Sequence, residues 1–222
     1  MRFADRQDAG RRLARVVDGV VDGVVDGAVD RARNDIVVLG LPRGGVPVAL
    51  EIALALSAPL DVVVVRKLGA PYQPELAMGA IGEGGVRLVD ESVVRSIGAT
   101  EDEIAAIEQR ERAELARRAR QFRGDTAPIA VEGRTAVIVD DGIATGSSAR
   151  VACRIVRARG AARLVLAVPV APERWTRDLR GEADEFVCVN APRWYRSVGE
   201  WYRDFTQTTD DEVIRCLALA SR

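Results

Sequence analysis

The chain of 222 residues contains no histidine at all. That absence removes Ser-His and Cys-His nucleophile pairs, imidazole acid-base chemistry and the usual zinc ligand sets in one step. Lysine is nearly absent: of 32 basic residues, Lys67 is the single lysine and all the others are arginines. A lone compact ammonium at the end of an apolar run hints at a position where a planar guanidinium would serve less well. The three cysteines, Cys153, Cys188 and Cys216, are widely separated and lack metal-ligand spacing, so they read as buried reduced thiols. The longest apolar stretch, LVLAVPVAP at 164–172, falls far short of the roughly 18 residues a membrane span needs. The opening RFADRQDAGRR has no apolar stretch of the secretory kind. A net charge of −1 and a pI near 5.8 give no global reason to bind nucleic acid or an anionic membrane. The expectation is a cytoplasmic protein without a nucleic-acid or membrane partner, in which any bound anion is held by a local site. Neither G-x-x-x-x-G-K-[ST] nor G-x-G-x-x-G occurs, which excludes the P-loop and dinucleotide fingerprints.

What is present is enough apolar residue, 48%, for one sizeable core. Residues 8–33 read as a helix in which VVDG occurs three times in tandem, setting Asp18, Asp22, Asp26 and Asp30 in a drifting stripe beside a valine face. After Asn34 the pattern alternates. DIVVLG (35–40), DVVVVR (61–66), TAVIVDD (135–141), RLVLAVPV (163–170) and EFVCV (185–189) are short Val-rich runs, most of them separated by helical stretches. Runs apolar on both faces with intervening helices predict an α/β fold with a parallel sheet covered on each side. The polar helix at 100–122 has a Thr cap, an acidic start and a basic end, and its interspersed charges read as a solvated face.

In such sheets ligands bind at the carboxyl ends of the strands. Three ends are unusual here: LPRGG after 36–40, Arg66-Lys67 after 61–66, and the stretch VIVDDGIATGSS at 137–148. In the last, Thr145, Gly146, Ser147 and Ser148 lead into a helix, whose free amides and dipole favour an anion. Asp140 and Asp141 just upstream would repel that anion unless they face hydrogen-bond donors. The vicinal hydroxyls of a ribose, one sugar length from its 5-phosphate, meet the requirement.

VIVDDGIATGSS resembles the phosphoribosyl-diphosphate (PRPP) motif of the type I phosphoribosyltransferases. VLGLPRGGVPVA, VVVVRKLGAPYQPELAMGAI and VGEWYRDF extend the likeness, to a poorly characterised bacterial branch, over nearly the whole chain. The resemblance implies a type I phosphoribosyltransferase fold occupying 1–222 as a single domain. Its core would span about 35–190, a small hood would come from about 1–34 and 191–222, and a helical insertion would fill about 91–123. It implies that Asp140 and Asp141 hold the ribose hydroxyls, directly or around Mg2+, and that Ala144, Thr145, Gly146, Ser147 and Ser148 cradle the 5-phosphate. Arg43, Gly44 and Gly45 would bind pyrophosphate, together with Lys67 and Arg66. Trp194, Tyr195, Trp201 and Tyr202 are candidates to stack on a flat acceptor, and 69–85 is the lid candidate. The implied reaction is Mg2+-dependent transfer of 5-phosphoribosyl from PRPP to a nitrogenous base or another small amine or alcohol, with release of pyrophosphate. A PRPP or nucleotide sensor and a phosphoribosyl hydrolase stay open as alternatives, and the family often forms homodimers. Ala144 stands where hypoxanthine-guanine members carry Asp, which speaks against a 6-oxopurine acceptor.

Overall fold

The computed structural model describes residues 2–22 and 35–220. The first half of the chain forms α1 (Arg6–Asp22), β1 (Ile36–Gly40), α2 (Gly45–Leu56), β2 (Leu60–Val62), β3 (Val65–Ala70), β4 (Gln73–Gly82), β5 (Arg87–Val89) and α3 (Glu91–Ile97). The second half forms α4 (Glu101–Arg123), β6 (Thr135–Val139), α5 (Ser147–Ala158), β7 (Arg163–Val170), α6 (Trp175–Asp178), β8 (Glu185–Asn190) and α7 (Asp210–Ala220). Of the VVDG repeat, Gly23, Asp26, Gly27 and Asp30 lie outside the described residues.

Five strands make one parallel sheet in the order β2-β1-β6-β7-β8. Both faces are buried, and this explains the uninterrupted valines. Val38, Val137, Val139, Val165 and Ala167 point into one cluster with Leu13 and Val17 of α1 and Ile52 and Leu56 of α2. The alternate residues Val37, Leu39, Ile138, Leu164 and Leu166 pack against Ala152, Cys153 and Val156 of α5 and Trp175 and Leu179 near α6. A period of two divided between two covered faces gives a continuous apolar run.

The order places a topological switch between β1 and β6. The chain leaves β1 towards β2 on one side and leaves β6 towards β7 on the other. The two connecting helices therefore diverge, and a crevice opens above the carboxyl ends of these two neighbours. LPRGG and DDGIATGSS occupy those two ends.

Two features differ from the sequence expectations. The run at 61–66 is not one strand: β2 stops at Val62, and β3 starts a separate antiparallel sheet, β3-β4-β5. Most of the expected lid at 69–85 is β4 of this sheet, because the hairpin has its own apolar face. Leu68, Met78 and Ile81 are buried in one cluster with Ile104, Ile107 and Leu115 of α4. At the chain termini, α1 and α7 pack in the helical layer around α2, while residues near Phe3 and 195–205 lie over the ends of β7 and β8. There the Phe3 amide donates to the Trp201 carbonyl at 2.8 Å, and the Arg203 amide to the Phe3 carbonyl at 2.9 Å.

Candidate active site

β6 ends at Val139, and the next two residues turn over the crevice. No lysine or arginine pairs with the Asp140 carboxylate among the described residues; one of its oxygens accepts the Asp141 amide at 2.9 Å. Burial, and after it the neighbouring Asp141 charge, pushes the Asp140 carboxyl well above the usual carboxylate range. Asp141 is held on both sides. Arg6 Nε and Nη2 each lie 2.9 Å from its Oδ2, and the Tyr202 hydroxyl donates to its main-chain carbonyl at 2.5 Å. Burial raises the Asp141 carboxyl as well, opposed by the Arg6 charge.

The loop after the acid pair is built for exposed backbone donors. Gly146 precedes α5 with φ 75°, a left-handed conformation that costs an L-residue with a Cβ about 1–2 kcal/mol. No side chain caps α5, and Thr145, Ser147 and Ser148 are exposed. Among the described residues, the amides of Ala144, Thr145, Gly146 and Ser148 have no acceptor within the protein. The Thr145 and Ser147 hydroxyls lie 3.1 Å apart, adding two rotatable donors at the same helix start. These groups together can bind the oxygens of a phosphate monoester.

The glycine loop after β1 closes against this motif. The Leu41 amide donates to the Val139 carbonyl at 2.8 Å, and a Cβ on Gly45 would lie 2.5 Å from that same carbonyl oxygen. A Cβ on Gly44 would run into the Asp141 carboxylate. Only a chain without side chains at 44 and 45 can come this near the acid pair. The amides of Arg43 and Gly44 also have no acceptor within the protein among the described residues. They lie at the start of α2, so two helix N-termini converge on one crevice.

The other expected residues are placed differently. The Arg43 side chain is 3.8 Å from Asp210 and lines a cavity of about 420 Å3 with Arg117 and Arg118. Arg66 and Lys67 sit on β3, where Arg66 pairs with Glu111 at 2.6 Å and Lys67 reaches the exposed Glu75 at 3.4 Å. Both line a cavity of about 520 Å3 between the hairpin and α4, with no residue of the acidic motif in its lining. The reason is the break of the 61–66 run at Val62, which moves them to the second sheet. Of the aromatic candidates, Trp194 is exposed, while Tyr195 and Trp201 are half-buried, the Tyr195 hydroxyl and Trp201 indole nitrogen having no hydrogen-bond partner among the described residues. Tyr202 is a correction. Its ring is buried against Phe3 at 5.4 Å and Phe205 at 4.9 Å, leaving no face for an acceptor. Sequence reading missed Arg6, which lies 135 residues from its partner and carries no motif signal.

Comparison with known proteins gives the family and the fold. A sequence model of the phosphoribosyl transferase domain matches residues 10–205. Two Mycobacterium tuberculosis proteins, each bearing the name "Putative phosphoribosyl transferase", are 50% identical over 99% of this chain. The alignment covers 47% of each of them, so the chain spans about half the length of the curated relatives it matches. A crystal structure from Thermus thermophilus superposes with a TM-score of 0.83 at 40% identity, covering 98% of both chains. A protein of Aquifex aeolicus, 11% identical, shares the fold with a TM-score of 0.51, covering 96% of this chain and 86% of its own. With the acid pair, the glycine loop and the β1/β6 crevice inside the matched region, the chain belongs to the phosphoribosyl transferase domain family.

Proposed function

We propose that this domain transfers the 5-phosphoribosyl group from PRPP to a nitrogen of a base, or to another small amine or alcohol, releasing pyrophosphate. One observation carries the reading: the acid pair at the end of β6 packs against the glycine loop of the neighbouring β1, and each loop leads into a helix start whose amides, among the described residues, have no acceptor within the protein. The spacing of functions matches the substrate. The α5 loop takes the 5-phosphate, Asp140 faces the ribose hydroxyls, and the Arg43 and Gly44 amides take the pyrophosphate.

The donor set fits Mg2+ brought in with the substrate and not a resident metal cage. Among the described residues no group of three or more His, Cys, Asp or Glu could hold a metal, yet Asp140 offers a carboxylate with no paired cation. Mg2+ commonly uses one or two carboxylates plus substrate oxygens. When bound with PRPP it would neutralise charge on the pyrophosphate. The chain itself supplies fixed donors. Glycine-loop amides and the start of α2 stabilise negative charge growing on the departing pyrophosphate as the C1–O bond breaks, leaving an oxocarbenium-like centre for the acceptor. No protein nucleophile is required, which is consistent with the missing histidines. The reading also assigns Lys67 to the pyrophosphate: in the ligand-free protein it lines the separate cavity beside α4, held there by an exposed pairing with Glu75 worth no more than about 1 kcal/mol.

Pyrophosphate release, measured with PRPP, Mg2+ and a panel of acceptors, tests this. Release that depends on one acceptor is expected, and Lys67→Ala should reduce it at least about tenfold, or roughly 1.4 kcal/mol of transition-state stabilisation. Release without an acceptor would instead mark a hydrolase, and binding without turnover a sensor.

A further inference from the structure

The two acids of the motif are not equivalent. Among the described residues no cation forms an ion pair with Asp140, whereas Asp141 receives two donors from Arg6, with Nε and Nη2 both 2.9 Å from Oδ2. Arg6 is itself fixed. Its Nη1 donates to the Thr206 carbonyl at 2.7 Å, and its guanidinium carbon lies 4.1 Å from the centre of the Phe205 ring. Only 12% of the Arg6 side chain and 16% of the Asp141 side chain are exposed, so solvent screens the pair little. The same Asp141 carboxylate lies where a Cβ on Gly44 would collide with it. One side chain from the first turn of α1 thus reaches the acid pair, the pyrophosphate loop and the segment at 205–206 through a single carboxylate.

We propose that Arg6 is a positioning residue for the pentose site: it turns Asp141 towards the glycine loop and the hood, leaving Asp140 as the acid that faces the ligand. This rests on the PRPP reading above. Without Arg6, Asp141 is a second unpaired carboxylate beside Asp140, free to turn into the crevice and to lose its packing against Gly44. The ribose site then loses its shape and gains an unbalanced negative charge that opposes a polyanionic substrate. Asp141 is the route of the effect, so removing Asp141 should make Arg6 irrelevant.

The test is a double-mutant cycle on PRPP affinity, measured by calorimetry with Mg2+ for wild type, Arg6→Ala, Asp141→Asn and the double variant, with thermal unfolding recorded for each. Arg6→Ala is expected to weaken PRPP binding about tenfold, and the double variant to bind no more weakly than the weaker single variant. Arg6→Lys, which keeps the charge without the two-donor fork, should recover only part of the loss. A merely structural arginine would lower the unfolding temperature and leave the affinity of the folded protein unchanged, which overturns the proposal. Additive losses in the cycle overturn it too. If Arg6→Ala does not fold, Arg6→Lys against Asp141→Asn completes the same cycle. Wild-type protein that takes up no PRPP removes the substrate reading itself, an outcome distinct from wild-type binding that is insensitive to Arg6.

Discussion

At the scale of single residues, the site exchanges stability for charge placed in advance. Asp140 carries a carboxyl raised well above its ordinary range by burial and by Asp141. A carboxyl whose folded pKa lies above its unfolded value stabilises the fold fully below about pH 4, and that contribution is lost as pH rises through the folded value. Above its unfolded pKa the ligand-free domain therefore bears the cost of burying this carboxyl. Asp140→Asn should raise the stability of the ligand-free domain by on the order of 1 kcal/mol, or Tm by about 2–4 °C for a domain of this size, while impairing PRPP binding. The gain should shrink towards pH 4, and thermal unfolding across pH checks both sign and window. Gly44→Ala tests the close approach: the new methyl must displace the Asp141 carboxylate, which predicts a destabilisation of about 1–3 kcal/mol and at least tenfold weaker PRPP binding. These acids and glycines were legible in the sequence because consecutive residues carry their chemistry. Arg6 and the Tyr202 hydroxyl were not, since each meets Asp141 only after distant segments are folded together.

Among the elements, the second sheet is held to the first by a buried ionic cluster. Arg123, at the end of α4, contacts Asp61 of β2 and Glu83 just after β4 and donates to the Val62 carbonyl at 2.5 Å. Its side chain is 5% exposed, as is that of Asp61, and that of Glu83 is 11% exposed. Arg123→Met would leave two buried carboxylates without their cation, at a cost of about 3–5 kcal/mol, readable by denaturant unfolding. The parallel strands were legible because both faces of each are covered, so their valine runs cannot be mistaken for exposed segments. The hairpin was not legible as a sheet. DVVVVR reads as one strand, yet the chain changes sheet between Val62 and Val65, and no glycine or proline marks the change. α4 was read correctly to within a residue at each end, because its boundary is local chemistry: the Thr100 hydroxyl accepts from the Glu103 amide, and the Glu103 carboxylate accepts from the Thr100 amide.

For the whole molecule, strand order decides where ligands go. β1 and β6 are neighbours whose chains depart in opposite directions, so the ends of LPRGG and DDGIATGSS must share a crevice. Neither motif alone points to a sugar diphosphate; in the proposed reading their meeting supplies one helix start for each phosphate-bearing end. Sequence reading placed both motifs at strand ends but could not establish that the two strands are adjacent, because order within a sheet is set by pairings between residues about a hundred positions apart. Calorimetric titration of the domain with PRPP in the presence of Mg2+ is the most direct measurement. A single saturable site, weakened at least tenfold in Asp140→Asn, is the predicted result; no uptake by the folded protein, or uptake indifferent to that substitution, would contradict it.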